Sequence, residues 1–185
     1  MTAMICLACA EVARGLLCGP CVGTLAPSPE QHLRGILVRS AFAHSGAARR
    51  LVHRLKYEGL VSAARPLAAA MVPLLPAHTT CLVPVPRVKA RRWRHGVDPA
   101  TELASALSEM TGLPVVVALR PLVWVARRAG PAGRRRGTPR FTATNRPHAG
   151  GVLVDDVVTT GTTLGIAASV TGACHAVTAT AGLRP

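Results

Sequence analysis

Gly150-Gly151-Val152-Leu153-Val154-Asp155-Asp156-Val157-Val158-Thr159-Thr160-Gly161-Thr162-Thr163 decides how the rest of the chain is read. Its apolar opening, Gly150 to Val154, has the character of a buried parallel strand. Two adjacent carboxylates then interrupt it, in a chain with only eight acidic residues. A hydroxyl-rich turn containing Gly161 follows, and Leu164 to Val170 reads as a helix. A loop that opens a helix aims unpaired N–H groups at one spot, and the helix dipole adds positive potential there, which suits phosphate. Gly161 permits close approach of the backbone, and the threonine hydroxyls can donate further bonds. Asp155 and Asp156 lie just upstream, where carboxylates can accept from sugar hydroxyls. In open α/β sheets ligands bind beyond the carboxyl ends of the strands, so this one turn provides for both a phosphate and a ribose.

Four apolar residues, two acids, two apolar residues and a Thr/Gly loop form a pattern. From Val152 to Thr163 the chain resembles the phosphoribosyl pyrophosphate (PRPP) motif of type I phosphoribosyltransferases. Many members of that group carry an acid where this chain has Thr159, and threonine cannot abstract a proton at neutral pH.

A chain of 185 residues has room for one domain and a small appendage. Apolar residues make up 49%, enough for a core, and aromatic residues only 3%, so Ala, Val and Leu must fill it. Twenty-two Lys and Arg against eight acids give a net charge of +14. That balance favours anionic partners such as phosphates, nucleic acid or a membrane surface. It is also what a GC-rich genome gives, since only Lys56 and Lys89 are lysine. No charged start followed by an apolar block marks a secretory signal, and no run of apolar residues is long enough to span a bilayer. The expectation is a cytoplasmic protein whose six cysteines are reduced or metal-bound.

Four of those cysteines form two C-x-x-C pairs, Cys6/Cys9 and Cys18/Cys21, across an eight-residue spacer. Such knuckles suit tetrahedral Zn²⁺ with four thiolates, a closed structural site. The alternatives are a pair of disulfides or four free thiols. The segment is too short to hold a core, so metal would supply its folding energy. Cys81 and Cys174 lie in apolar surroundings and read as core residues.

Between these landmarks, Thr24 to His32 reads as a linker, Gly35 to Ala43 as a strand and Ala47 to Tyr57 as an amphipathic helix closed by Glu58-Gly59. Pro66 to Leu75 reads as a second helix. Cys81 to Pro86 is a short strand. Pro99 to Met110 is a helix with Leu103, Ala104, Leu107 and Met110 on one face, and Pro114 to Ala118 a strand. His175 to Ala181 is the last strand, with His175 a core or edge residue. Strands alternating with helices predict a parallel sheet flanked by helices.

Two stretches concentrate the positive charge. Arg87, Lys89, Arg91, Arg92 and Arg94 follow the strand at Cys81, a candidate pyrophosphate loop or nucleic-acid patch, with Trp93 as one stacking surface. Arg127, Arg128, Arg134, Arg135 and Arg136 lie among Gly and Pro, which predicts a mobile segment from Arg120 to Arg140.

Taken together, the four-Cys knuckle, Arg54-Leu55-Lys56-Tyr57-Glu58-Gly59, Val83-Pro84-Val85-Pro86 and the PRPP motif resemble the ComF family, bacterial phosphoribosyltransferase-fold proteins linked to competence and DNA uptake. The resemblance implies a zinc-binding head over residues 1–26 and a type I phosphoribosyltransferase-like domain over 33–185. Asp155 and Asp156 would hold the ribose, partly through Mg²⁺. Thr159, Thr160, Gly161, Thr162 and Thr163 would hold the 5′-phosphate. Where the family carries Arg-Gly-Phe-Asn-Gln, this chain has His95-Gly96-Val97-Asp98-Pro99. Two functions stand on these residues: a phosphoribosyltransferase of nucleotide metabolism, and a non-catalytic accessory that binds single-stranded DNA alongside DNA-uptake machinery.

Overall fold

A computed structural model describes residues 4–87, 97–122, 141–144 and 149–182. Most of the predicted mobile segment and most of the basic loop lie outside those residues, and Arg120 and Pro121, at the start of the former, belong to a strand.

Five strands make the central sheet: β3 (Gln31–Leu33), β4 (Ile36–Ala43), β5 (Cys81–Pro84), β8 (Gly151–Val158) and β9 (His175–Ala181), in the order β3-β4-β9-β8-β5. The last four are mutually parallel, and β3 is an antiparallel edge joined to β4 by a tight turn. Parallel strands need crossovers, and helices supply them. Helices α2 (Gly46–His53), α3 (Ala64–Met71) and α4 (Pro99–Thr111) cover one face. Helix α5 (Thr162–Thr171) covers the other.

Alternation along the strands feeds two cores. Val152, Val154, Val177 and Ala179 pack with Leu51, Leu55, Leu67, Leu103 and Leu107. Val38, Val83, Leu153 and Ala176 pack with Leu164 and Ala167. A mixed α/β fold with a mostly parallel sheet flanked by helices is therefore what the alternating pattern predicted.

Several boundaries moved. The acidic pair does not end its strand, because β8 runs through Asp155 and Asp156 to Val158. The strand expected at Pro114 to Ala118 is absent, and Val115 makes a single bridge to Leu82. Instead β6 (Leu119–Pro121) pairs antiparallel with β7 (Phe141–Ala143) as a separate ribbon. Part of the predicted linker forms β3, and its Pro27 bridges to Phe42. Cys81 is buried as expected, whereas Cys174 is exposed, in the turn between α5 and β9. Met110 turns outward at 39% exposure while Leu103, Ala104 and Leu107 are buried.

The head comprises a two-stranded ribbon, β1 (Met4–Ile5) with β2 (Val12–Ala13), and the short helix α1 (Gly19–Val22). Its buried residues, Cys6, Ala8, Ala13 and Cys21, continue the core under α2 and α3. The Thr24 hydroxyl accepts from Ala47 N at 2.9 Å and so caps α2 from outside that helix. Arg54 Nη1 donates to Leu7 O at 3.0 Å.

Candidate functional site

At the C-terminal edge of the sheet β8 delivers two carboxylates to opposite faces, as strand alternation requires. Asp156 points toward α2, where Lys56 Nζ approaches its Oδ2 at 2.8 Å and Arg87 Nη2 stands 3.8 Å away. Lys56 is carried by a π-helical turn, Arg54–Glu58, which continues α2 and ends at Gly59 with φ of 69°. Wide turns of this kind are common where a helix must aim one side chain. Arg87 is held from three sides. Its backbone N–H donates to Asp98 Oδ2 at 3.1 Å, its Nη1 donates to Lys56 O at 3.3 Å, and its guanidinium lies 5.9 Å from the centre of the Tyr57 ring. Lys56, Tyr57, Arg87, Asp98 and Asp156 thus form one connected cluster.

Among the described residues, Arg87 Nη2 and Asp98 Oδ1 are buried without a hydrogen bond, and Asp156 Oδ2 has its ion pairs with Lys56 and Arg87. Unsatisfied buried polar atoms are costly and rare in folded proteins, and a ligand is one way to complete them.

Asp155 faces the other way and makes no ion pair among the described residues. Its Oδ1 accepts from Asp156 N at 2.8 Å. Burial, and then the adjacent Asp156 carboxylate, push its pKa well above the ordinary carboxylate range. Of the two neighbouring acids, Asp155 therefore favours its proton, while Asp156 lies against Lys56.

Thr159 and Thr160 are exposed, Thr162 and Thr163 half-buried, and Gly161 buried. Thr160 and Thr162 share a hydroxyl–hydroxyl bond of 3.0 Å. Gly161 opens α5 at φ of 69°, a left-handed conformation, and the Thr160 hydroxyl accepts from Thr162 N at 3.5 Å. A Cβ there would also come within 2.7 Å of Leu33 Cβ, so glycine is required twice over. The loop and the acidic pair thus occupy one edge, as the motif implied. Of the predicted basic loop, Arg87 joins the site, while Lys89, Arg91, Arg92 and Arg94 lie outside the described residues. His175 opens β9 and packs edge-on against His78, with ring centres 5.2 Å apart.

Lys56 and Asp98 carried no predicted role. Lys56 reads in sequence as the solvated face of an amphipathic helix. Asp98 stands at the N-cap of α4, yet it makes no side-chain cap bond and instead fixes Arg87.

The second candidate site is the head. The sulfurs of Cys6, Cys9, Cys18 and Cys21 all lie within 4.8 Å of one another. Four sulfurs around one Zn²⁺ at about 2.3 Å would stand about 3.8 Å apart, so this set fits a tetrahedral metal ion. All four are unbridged, which sets aside the disulfide alternative. Cys9 and Cys18 Sγ are 3.6 Å apart, Cys18 N donates to Cys6 Sγ at 3.3 Å, and Arg50 Nη2 donates to Cys21 Sγ at 3.3 Å. Burial opposes ionisation of Cys6, but N–H groups of Cys18, Cys9 and Ala8 outweigh it and lower its thiol to about 6. Cys9, despite help from the Glu11 backbone, is pushed up to about 12 by burial and the other sulfurs. Without a cation the four cannot share negative charge.

Among the described residues no helix is long and apolar enough to cross a membrane. Compared with protein-family models and with curated proteins, the chain gives no match.

Proposed function

We propose that the chain binds PRPP or a related ribose 5-phosphate at the C-terminal edge of its sheet and transfers the phosphoribosyl group to an acceptor. The observation that carries this reading is Asp156: a buried carboxylate paired with Lys56 and close to Arg87, a few residues before a Thr/Gly loop that opens α5 at a left-handed glycine. In this reading N–H groups and hydroxyls of Thr159 to Thr163 take the 5′-phosphate. Asp155 and Asp156 take the ribose hydroxyls. Arg87, and beyond it the basic loop, receives the pyrophosphate, whose departure leaves positive charge on the ribose that the adjacent carboxylates stabilise. Asp155 and Asp156 would also hold Mg²⁺, since carboxylate oxygens are the ligands that ion takes. Mg²⁺ when bound would neutralise pyrophosphate charge.

The ComF resemblance supports the same assignment, with a type I phosphoribosyltransferase-like domain behind a structural Zn²⁺ head. Six unbridged cysteines suit a cytoplasmic protein. Calorimetry with PRPP and Mg²⁺ tests the site. Asp156→Asn should weaken binding by about 1.5–3 kcal/mol through loss of a charge-assisted acceptor. Equal affinity for wild type and the Asp155→Asn, Asp156→Asn double variant would place the ligand elsewhere.

The net charge of +14 favours a second reading, a non-catalytic accessory that binds single-stranded DNA in natural competence. Its signature would be affinity falling with salt at a log–log slope of about −0.7 per neutralised phosphate.

A further inference from the structure

His44 stands directly after β4, whose last residue, Ala43, is in register with Ala181 of β9, itself in register with Val158 of β8. The Thr/Gly loop begins at the residue after Val158. His44 therefore shares the ligand edge with the acidic pair, although it lies more than a hundred positions away in sequence. Its backbone N–H donates to Ala181 O at 2.7 Å, which fixes its place.

The imidazole is fixed as well. Its Nδ1 is 2.8 Å from Thr180 Oγ1. That hydroxyl has one proton, and it donates this to the Asp156 carbonyl at 3.3 Å. With its proton on that carbonyl the hydroxyl accepts from His44, an arrangement that puts the hydrogen on Nδ1 and the lone pair on Nε2. A parallel pair supports the same direction: Thr178 Oγ1 donates to Thr180 O at 3.2 Å and lies 2.7 Å from Ser40 Oγ, from which it accepts. Thr178 and Thr180 alternate with Val177 and Ala179 of the α2–α4 core, so this hydroxyl seam lies on the opposite face, the one toward which Asp155 points.

The charged groups around the ring are Arg49 of α2, Lys56 of the following turn and Asp156 of β8. Burial, then the two cations, lower the imidazole pKa from its ordinary value against the weaker pull of Asp156, so the ring is neutral at pH 7.

We infer that His44 Nε2 is the proton acceptor of the site. This rests on the transfer reading above, and it supplies a base where Thr159 cannot. In the step, the lone pair of an acceptor ring nitrogen forms a bond to the ribose anomeric carbon. The bond from that carbon to pyrophosphate breaks, and its electron pair leaves with the pyrophosphate oxygen. The N–H proton of the acceptor passes to Nε2, giving an imidazolium that Asp156 stabilises and that then loses the proton to water.

Three measurements on the full chain test this. The probes are PRPP with Mg²⁺ and a panel of purine and pyrimidine bases. His44→Asn keeps a donor for Thr180 but removes Nε2, and His44→Phe removes both. Both variants should bind PRPP within about two-fold of wild type by calorimetry, while base-dependent pyrophosphate release falls by about 10²–10⁴. The pH profile of wild type should lose rate as pH falls through the His44 pKa, and His44→Asn should lack that limb. Imidazole ¹⁵N shifts should show the Nδ1–H tautomer. Base-dependent release at the wild-type rate in His44→Asn, an Nε2–H tautomer, or PRPP binding without any base-dependent release in wild type would each overturn the inference. Absence of PRPP binding in wild type would instead overturn the binding reading beneath it.

Discussion

The head and the sheet edge both gather charge that the protein leaves incompletely neutralised, but they gather it on different supports. In the head, four sulfurs within 4.8 Å of one another are held by two-residue strands, a four-residue helix and a few small buried side chains. At the sheet edge, Asp156 hangs from a buried strand, Lys56 from the turn that continues α2, with Leu51 and Leu55 fully packed beneath, and Arg87 from the loop after β5. In the first, the missing partner is the scaffold itself. In the second, the scaffold stands alone and the missing partner completes only the electrostatics. Loss of the partner should therefore unfold one and merely leave the other uncompensated.

The largest effect belongs to the head. Structural zinc in finger peptides contributes about 10–16 kcal/mol of folding energy. The Cys6→Ser, Cys9→Ser double variant should lose one zinc per chain and become cleavable within residues 4–22, while the sheet keeps its circular dichroism and its melting transition. If the wild type purified under reducing conditions holds no zinc, or if the variant resists protease as well as wild type does, the head is held by its apolar contacts and the contrast collapses.

Next is Lys56→Met. It leaves the buried Asp156 carboxylate with only Arg87 at 3.8 Å, and removing one partner of a buried pair costs about 3 kcal/mol. Urea unfolding reads this directly. A cost below about 0.5 kcal/mol would mean that the pair behaves like a surface ion pair and that the edge is open to water.

The smallest effect, and the sharpest test of the electrostatics, is Asp155→Asn. The folded-state pKa of Asp155 is raised, so the folded protein holds this proton more tightly than the unfolded chain does. The stability it contributes is complete at low pH and is lost as pH rises through the folded pKa. Asp155→Asn should therefore melt above wild type at pH 8, and the gap should close as pH falls to the ordinary carboxylate range. A variant less stable than wild type at pH 8 would show that Asp155 is ionised and paired.

Local pattern made much of this legible. The acidic pair, the Thr/Gly loop and the cysteine knuckles each lie within a few residues, and the helices announced themselves by apolar spacing and by glycine at their ends. What was illegible is non-local. Lys56 meets Asp156 a hundred positions on, and His44 meets Thr180 across two strands. Nothing in the sequence names Asp156 as the partner of Lys56, or Thr180 as the partner of His44. The strand expected at Pro114 to Ala118 failed for a related reason. Strand formation depends on a partner, and the available partner, β7, takes Leu119–Pro121 instead. Cys174 was assigned to the core by its apolar neighbours in sequence, but it falls in a turn after Gly172, where the chain is at the surface.

Hydrogen exchange of the zinc-loaded protein, with and without PRPP and Mg²⁺, tests the central claim most directly. The account predicts slowed exchange at the amides of Thr159 to Gly165 and in the Arg54–Glu58 turn, with residues 4–22 of the head unchanged. Unchanged exchange in both regions, or protection confined to the head, would contradict it.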